Sequence, residues 1–443
     1  MKERDEYAVV GIGFGPSNLS LAVALDEHDS GGGSPLQATF VERQPEFGWH
    51  RNMLLPFAKM QVSFLKDLAT FRNPTSRHSF ISYLHSVGRL AQFVNNQDFF
   101  PTRHEFHDYL QWVEGHFSDR VTYNAEVTAL RLPADDHARS LDTVQVEVRN
   151  NGASGASRLI NARNVVVSTG LVPKMPPGID RDERVWHSSE FLGRFQALDH
   201  SRVRRVAVVG GGQSAAEIAR HVYDAIPHAR VSAIMPSYGY SIADDTPFAN
   251  QIFDAVAVDD YYHGSEHARD AFWRYHRNTN YGVADTETIK ELYQRSYSDE
   301  IAGNTRLDFL NLSRVDSVKQ LDDEVRVTLH SGRADETYGL DVDVVVFATG
   351  YDPMEPAELL GDIAAHCLRD ESGRLRVGRD YRVLTTPDLN VGVYLQGGTE
   401  HTHGLGSSLL SNIAVRSGEI VDSIAARSTG AGNSGSAPAV VAG

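Results

Sequence analysis

The stretch Tyr7–Leu25, YAVVGIGFGPSNLSLAVAL, decides how the rest of the chain is read. It opens as a short apolar strand, turns on glycines and continues with helical periodicity. Gly11, Gly13 and Gly15 spell G-x-G-x-G-P, with Pro16 where the usual fingerprint carries its third glycine. Proline is well tolerated in a first helical turn, because the N–H it lacks would have no intrahelical partner. The remaining free N–H groups and the helix dipole make a site for a diphosphate. An acid ending the next strand should hold a ribose hydroxyl. LQATFVER (36–43) supplies Glu42, and the loop DEHDSGGGSP lengthens the usual spacing.

A second fingerprint lies in RRVAVVGGGQSAAEIARHV (204–222). There Gly210, Gly212 and Ala215 give G-x-G-x-x-A between a Val-rich strand and a helix. Its following strand, ARVSAIMPS (229–237), ends without an acid. A carboxylate there would repel a 2′-phosphate, so its absence leans toward NADPH over NADH. The MPSYGYS that follows holds no arginine, which leaves Arg277 or a residue of SRVRR (201–205) to take that phosphate. Two more apolar strands, NVVVSTGLVP (164–173) and VDVVVFATGYDP (342–353), each end in a Thr-Gly turn, as strands that close nucleotide domains do.

The predicted fold is therefore α/β, with two Rossmann-like dinucleotide-binding domains, one for FAD and one for a nicotinamide, and a small, mostly helical substrate-binding segment. The expected order is a first domain over 1–196, an inserted nicotinamide domain over 197–342 with the helical segment at about 241–303, a return to the first domain over 343–427, and a Gly/Ser/Ala-rich disordered tail over 428–443.

The bulk numbers narrow the chemistry. The chain has 443 residues, 41% hydrophobic and 23% charged, as expected of a soluble protein with sizeable cores. A net charge of -16 argues against nucleic acid or an anionic membrane as partner. A single cysteine, Cys367, excludes a disulfide framework, a cysteine-rich zinc site and a CxxC redox pair. No apolar run suits a signal peptide or a membrane span, and a reduced, cytoplasmic setting is expected. Without a CxxC pair the chain is no disulfide reductase, so reduced flavin must pass its electrons elsewhere, and oxygen is the natural acceptor.

Eight further stretches carry a resemblance: GFGPSNLSLAVAL, WHRNMLLPFAKMQVSFLKDLATFRNPTS, FFPTRHEFHDYLQW, GGGQSAAE, DDTPFANQIFD, NTNYGV, FATGYDPMEP and GGTEHTHGLGSSLLSNIAVRSGEI. With them the chain resembles the N-hydroxylating flavin monooxygenases, most closely the ornithine N5-hydroxylases of siderophore and piperazate pathways, from about Val9 to Arg427. RDERVWHSSEF keeps His187 and Phe191 but lacks the Phe and Gly that Baeyer–Villiger and sulfur-oxygenating relatives require. The resemblance implies that NADPH reduces FAD, O2 forms a hydroperoxide at flavin C4a, and the ornithine side-chain amine attacks the distal oxygen. It implies a cytoplasmic homo-oligomer, dimer or tetramer.

Site roles follow from the same matches. Lys66, alone among Val, Phe, Leu and Ala, should hold the substrate α-carboxylate, since low dielectric strengthens such a pair; Asp67 would balance its charge. Asn250 and Phe253 should shape the amino-acid pocket, and Asn280 should touch substrate and NADPH. Gln61, Asn280 and Ser411 are the implied catalytic residues, with Ser411 at the reacting amine. Gly11, Gly13, Gly15, Pro16, Ser17, Glu42, Trp49, His50, Gln61, Arg103, Val127, Ser408, Leu409 and Leu410 are the implied FAD contacts. Gly210, Gly212, Gln213 and Ser214 should line the NADPH phosphates. No metal is expected, although His401 and His403 have a ligand-like spacing. Lysine N6-hydroxylation on the same fold, or an NADPH-linked redox flavoprotein with no hydroxylated product, stays open as an alternative.

Overall fold

The structure, a computed structural model, describes residues 6–133, 141–152 and 157–429. Strand Glu6–Ile12 lies inside a seven-stranded sheet. It runs parallel to Ala38–Val41 on one side and to Ser157–Val167 on the other. Val121–Thr122 extends one edge, the antiparallel strands Val144–Asn150 and Ala125–Arg131 extend the other, and Gly392–Leu395 also pairs with Ser157–Val167. Helix Pro16–Ser30 leaves the glycine turn and packs along the final helix, Ile413–Ser428. That helix includes Ser428, the first residue of the expected tail; residues 430–443 lie outside those described.

A second sheet has five parallel strands in the order Leu307–Leu310, Arg230–Ile234, Arg205–Val209, Val344–Phe347 and Val185–His187. The expected boundaries at 197 and 343 need correction here, because Val185–His187 and Val344–Phe347 belong to this sheet. Val344–Phe347 is buried throughout and pairs with Val206 to Val209. A strand buried on both faces is a continuous apolar run, and such a run carries no mark of which parallel sheet it joins.

Three antiparallel strands, Ser313–Gln320, Val325–Ser331 and Glu336–Val342, cover one face of the second sheet through Val325, Val327 and Leu329 against Val209, Ile234 and Phe347. Helices Pro247–Asn250, Ala255–His263, Glu266–His276 and Thr286–Ala302 form the helical segment, tied at its base by the short pair Ser241–Ile242 and Val283–Ala284. Among the described residues no helix is long and apolar enough to cross a membrane.

Candidate active site

The first glycine turn is a cradle for a nucleotide. Gly13 has φ +83°, and a Cβ there would stand 2.5 Å from the Ser168 carbonyl oxygen, so only glycine fits. At Gly15, the cap of helix Pro16–Ser30, a Cβ would meet nothing within 4 Å and no side chain caps the helix. Free N–H groups therefore face open space, as a diphosphate requires. Glu42 is buried at the end of the second strand, where its carboxylate accepts from the N–H groups of Phe14 at 2.7 Å and Gln44 at 2.8 Å. The Ser168 hydroxyl beside the turn is buried without a partner. Glycine turn, carboxylate and orphan hydroxyl together fit FAD. Pro16 opens the helix, and Ser17 accepts at 3.3 Å from the guanidinium of Arg416, a fully buried residue that also donates to the Ser407 carbonyl oxygen. Val127 packs in the core of the first sheet.

The second turn repeats the pattern. Gly210 has φ +147°, and a Cβ there would meet the Ala348 carbonyl oxygen at 2.5 Å. Gly212 caps helix Gln213–Ala225 with no side-chain cap, which leaves its first N–H groups, including that of Ser214, for phosphate oxygens. Gln213 has another partner: its amide donates to Glu217 at 2.9 Å and to Asp285, and its oxygen accepts from the Asp285 N–H at 2.7 Å. Arg205 of SRVRR sits at the beginning of its strand, at the end away from the glycine turn.

Trp49 and His50 meet edge to face at 4.6 Å. His50 is exposed at the surface beside Trp49, and desolvation first and Arg103 second lower its pKa. Arg103 stands near His50, and its guanidinium forks onto Glu217 at 2.7 and 2.9 Å and donates to the Met53 carbonyl at 3.2 Å. It clamps the two nucleotide folds together.

The stretch 60–76 has no regular pattern because the rest of the fold shapes it. Met60 and Phe64 donate to the carbonyls of Pro101 and Phe99, and Arg72 pairs with Glu27 and donates to the Ala414 carbonyl. Asp67 does not balance Lys66. It is buried and accepts from the N–H groups of Ala69, Thr70 and Phe80 and from the Thr70 hydroxyl, which ties the loop together. Gln61 is exposed in this loop. Lys66 is half-buried, its ammonium 5.7 Å from the centre of the Phe253 ring, with no carboxylate in ion-pair range among the described residues. Desolvation lowers its pKa, and Asp254 partly offsets this. Such a cation is poised for an incoming anion.

Phe253 ends the short turn Gln251–Phe253 after Asn250, whose amide donates to the Asp245 carbonyl at 2.7 Å. A Cβ at Gly406 would lie 3.9 Å from the Phe253 Cα, so the loop 404–411 passes close to Phe253, the ring nearest the Lys66 ammonium. Ser408, Leu409 and Leu410 line that loop, and Ser411 is buried at its end. Next to Asn280, the Tyr281 hydroxyl donates to Glu400 at 2.5 Å. Burial raises the Glu400 pKa. Motif matching passed over Glu400 and Tyr281, although both lie inside quoted motifs. His401 bonds the Leu375 carbonyl, while His403 stacks on Tyr381 and bonds the Arg379 carbonyl, so both rings serve the loop's own packing.

The chain thus carries two glycine cradles and, beside Phe253, a lysine with no carboxylate in ion-pair range among the described residues. Residues 5–353 match the family model described as L-lysine 6-monooxygenase/L-ornithine 5-monooxygenase. The chain belongs to this family. Within the family it is 41% identical to an L-ornithine N(5)-monooxygenase of Burkholderia cepacia, over 91% of each chain. It is 36% identical to that of Pseudomonas aeruginosa, over 94% of this chain and 93% of the other. Among solved structures, the ornithine N-hydroxylase of Kutzneria sp. 744, described with reduced FAD, NADP+ and L-ornithine, superposes with a TM-score of 0.91 at 60% identity, covering 96% of this chain and 100% of that one. An L-lysine 6-monooxygenase of Pseudomonas syringae gives 0.81 at 30% identity, covering 95% and 99%.

Proposed function

We propose that this chain is an L-ornithine N5-monooxygenase, which hydroxylates the side-chain amine of ornithine with FAD, NADPH and O2. The observation that carries the reading is Lys66, a half-buried ammonium with no counterion among the described residues, beside Phe253 and near the loop that ends at Ser411. When bound, NADPH and FAD supply reducing equivalents and an activated oxygen atom. The protein's part is positioning and proton control. Lys66 takes the α-carboxylate, Asn250 the α-amino end, and Phe253 walls the methylene chain. Asn280 and Ser411 then hold the terminal nitrogen, and Gln61, exposed in its loop, stands by the flavin edge where oxygen reacts.

The amine must be neutral to attack. With a pKa of about 10.4, neutrality at pH 7.5 costs roughly 4 kcal/mol. Desolvation by Phe253, Leu409 and Leu410 lowers that cost, because an apolar site disfavours the ammonium. Ornithine is favoured over lysine by likeness: 60% identity to an ornithine N-hydroxylase against 30% to a lysine 6-monooxygenase. One methylene is worth only about 1–3 kcal/mol in a pocket. The test is hydroxylamine formed per NADPH consumed by purified enzyme. Ornithine should give near-stoichiometric product; product from lysine and none from ornithine would overturn the substrate, and none from either would overturn the activity.

The same reading carries a homo-oligomer, dimer or tetramer, and a cytoplasmic setting away from nucleic acid and anionic membrane, in keeping with a charge of -16. Light scattering on the purified protein tests the former, and cell fractionation the latter.

A further inference from the structure

The second cradle needs a cation that its own turn does not carry. Four strands of the second sheet end level: Ile234 stands opposite Val209 and Leu310, and Phe347 opposite Val209. A dinucleotide lies against this carboxyl-terminal edge. Arg205, Arg230 and Arg306 lie at the opposite edge, engaged with Glu324, Asp308 and the Tyr223 carbonyl. Arg277 stands beside Tyr281, the partner of Glu400.

The turn after Arg230–Ile234 is where a 2′-phosphate would sit, and it is held from the neighbouring chain. Leu312 and Ser313 donate to the carbonyls of Ser237 and Met235 at 3.0 and 2.9 Å, and the Asn311 amide donates to the Tyr238 carbonyl at 3.0 Å. The hairpin turn between Val325–Ser331 and Glu336–Val342 reaches back to the same place. Gly332 donates to the Leu312 carbonyl at 2.7 Å, and the Arg333 guanidinium donates to Asn311 Oδ1 at 2.7 Å. Asn311 therefore bridges Arg333 to the Tyr238 backbone. No carboxylate pairs with Arg333 among the described residues, and its neighbour Asp335 faces His330 at 3.3 Å. No acid occurs from Met235 to Ser241, and the Tyr238 ring is 76% exposed at this turn.

We propose that Arg333, set in place by Asn311, binds the 2′-phosphate of NADPH and makes the enzyme prefer it to NADH. The proposal rests on the reading of the second fold as the nicotinamide site. A guanidinium presents paired N–H groups that match phosphate oxygens, and four of the five Arg333 donors remain after Asn311 takes one. The residue comes from a hairpin about a hundred positions downstream of Arg230–Ile234, which is why the turn itself can lack arginine.

The test is calorimetric binding of 2′,5′-ADP and of 5′-AMP to the FAD-loaded native enzyme, Arg333→Gln and Asn311→Ala, with reduction rates by NADPH and NADH alongside. The native enzyme should prefer the 2′-phosphorylated nucleotide. Arg333→Gln should lose roughly ten- to a hundredfold for it, keep its 5′-AMP affinity and keep its NADH rate; Asn311→Ala should lose less. A native enzyme without the preference, or an Arg333→Gln variant that retains it, overturns the assignment to Arg333. A native enzyme that binds neither nucleotide and is reduced by neither cofactor overturns the nicotinamide reading itself.

Discussion

Replacing Lys66 by alanine tests the substrate pocket most sharply. Breaking a fully buried ion pair costs about 3–5 kcal/mol. Lys66 is half-buried and keeps some water, so about 2–3 kcal/mol is the appropriate range. At about 1.4 kcal/mol per decade that is a rise of roughly 30- to 160-fold in the ornithine KM. Neither glycine cradle involves Lys66, and its side chain makes no hydrogen bond or ion pair among the described residues. Lys66→Ala should therefore bind FAD, be reduced by NADPH at the native rate and release peroxide in place of hydroxylated product. The assay is hydroxylamine per NADPH over a range of ornithine, with putrescine in parallel. Putrescine lacks the carboxylate, so the native enzyme should discriminate strongly against it and the variant far less. An unchanged ornithine KM with unchanged coupling would refute the reasoning and leave Lys66 as a lysine lying along an apolar wall.

Three other outcomes follow from the geometry. Glu42→Ala removes the acceptor of two backbone N–H groups; it should lower FAD occupancy and melting temperature, at about 1–3 kcal/mol, and a full flavin complement on purification would contradict this. Gly212→Val places its first carbon 3.7 Å from Gly282 and Val283, with branches crowding the cradle; the protein should stay yellow and be reduced slowly by NADPH but normally by dithionite. His403 is buried, and desolvation depresses its pKa to about 4. Its unfolded form takes up a proton near pH 6.5 while the folded form does not, so this contribution is present above pH 6.5 and is lost as pH falls toward 4; the loss, about 3 kcal/mol, should shrink in His403→Gln when melting is followed against pH.

Local signals made much of this legible in the sequence. Each glycine turn, with the strand before it and the helix after it, is specified within about twenty residues, and Glu42 follows at the end of the next strand. Lys66 stood out as a charge in an apolar run, and the structure seats it over Phe253. What sequence could not give depends on partners far along the chain. Asp67 reads as a counterion to Lys66 but instead gathers donors as far as Phe80. Arg103 meets Glu217 across the two folds, and Arg333 reaches Tyr238 through Asn311. Val344–Phe347 pairs in the second sheet, since four buried apolar residues suit either one.

The central claim is that one oxygen atom from O2 is placed on the side-chain nitrogen of ornithine. Its most direct test is a turnover of native enzyme with NADPH and ornithine under ¹⁸O₂, with the product mapped by fragmentation mass spectrometry. The product should carry a single ¹⁸O on N5 and none on the α-nitrogen. NADPH consumption that yields labelled peroxide and unmodified ornithine would contradict it.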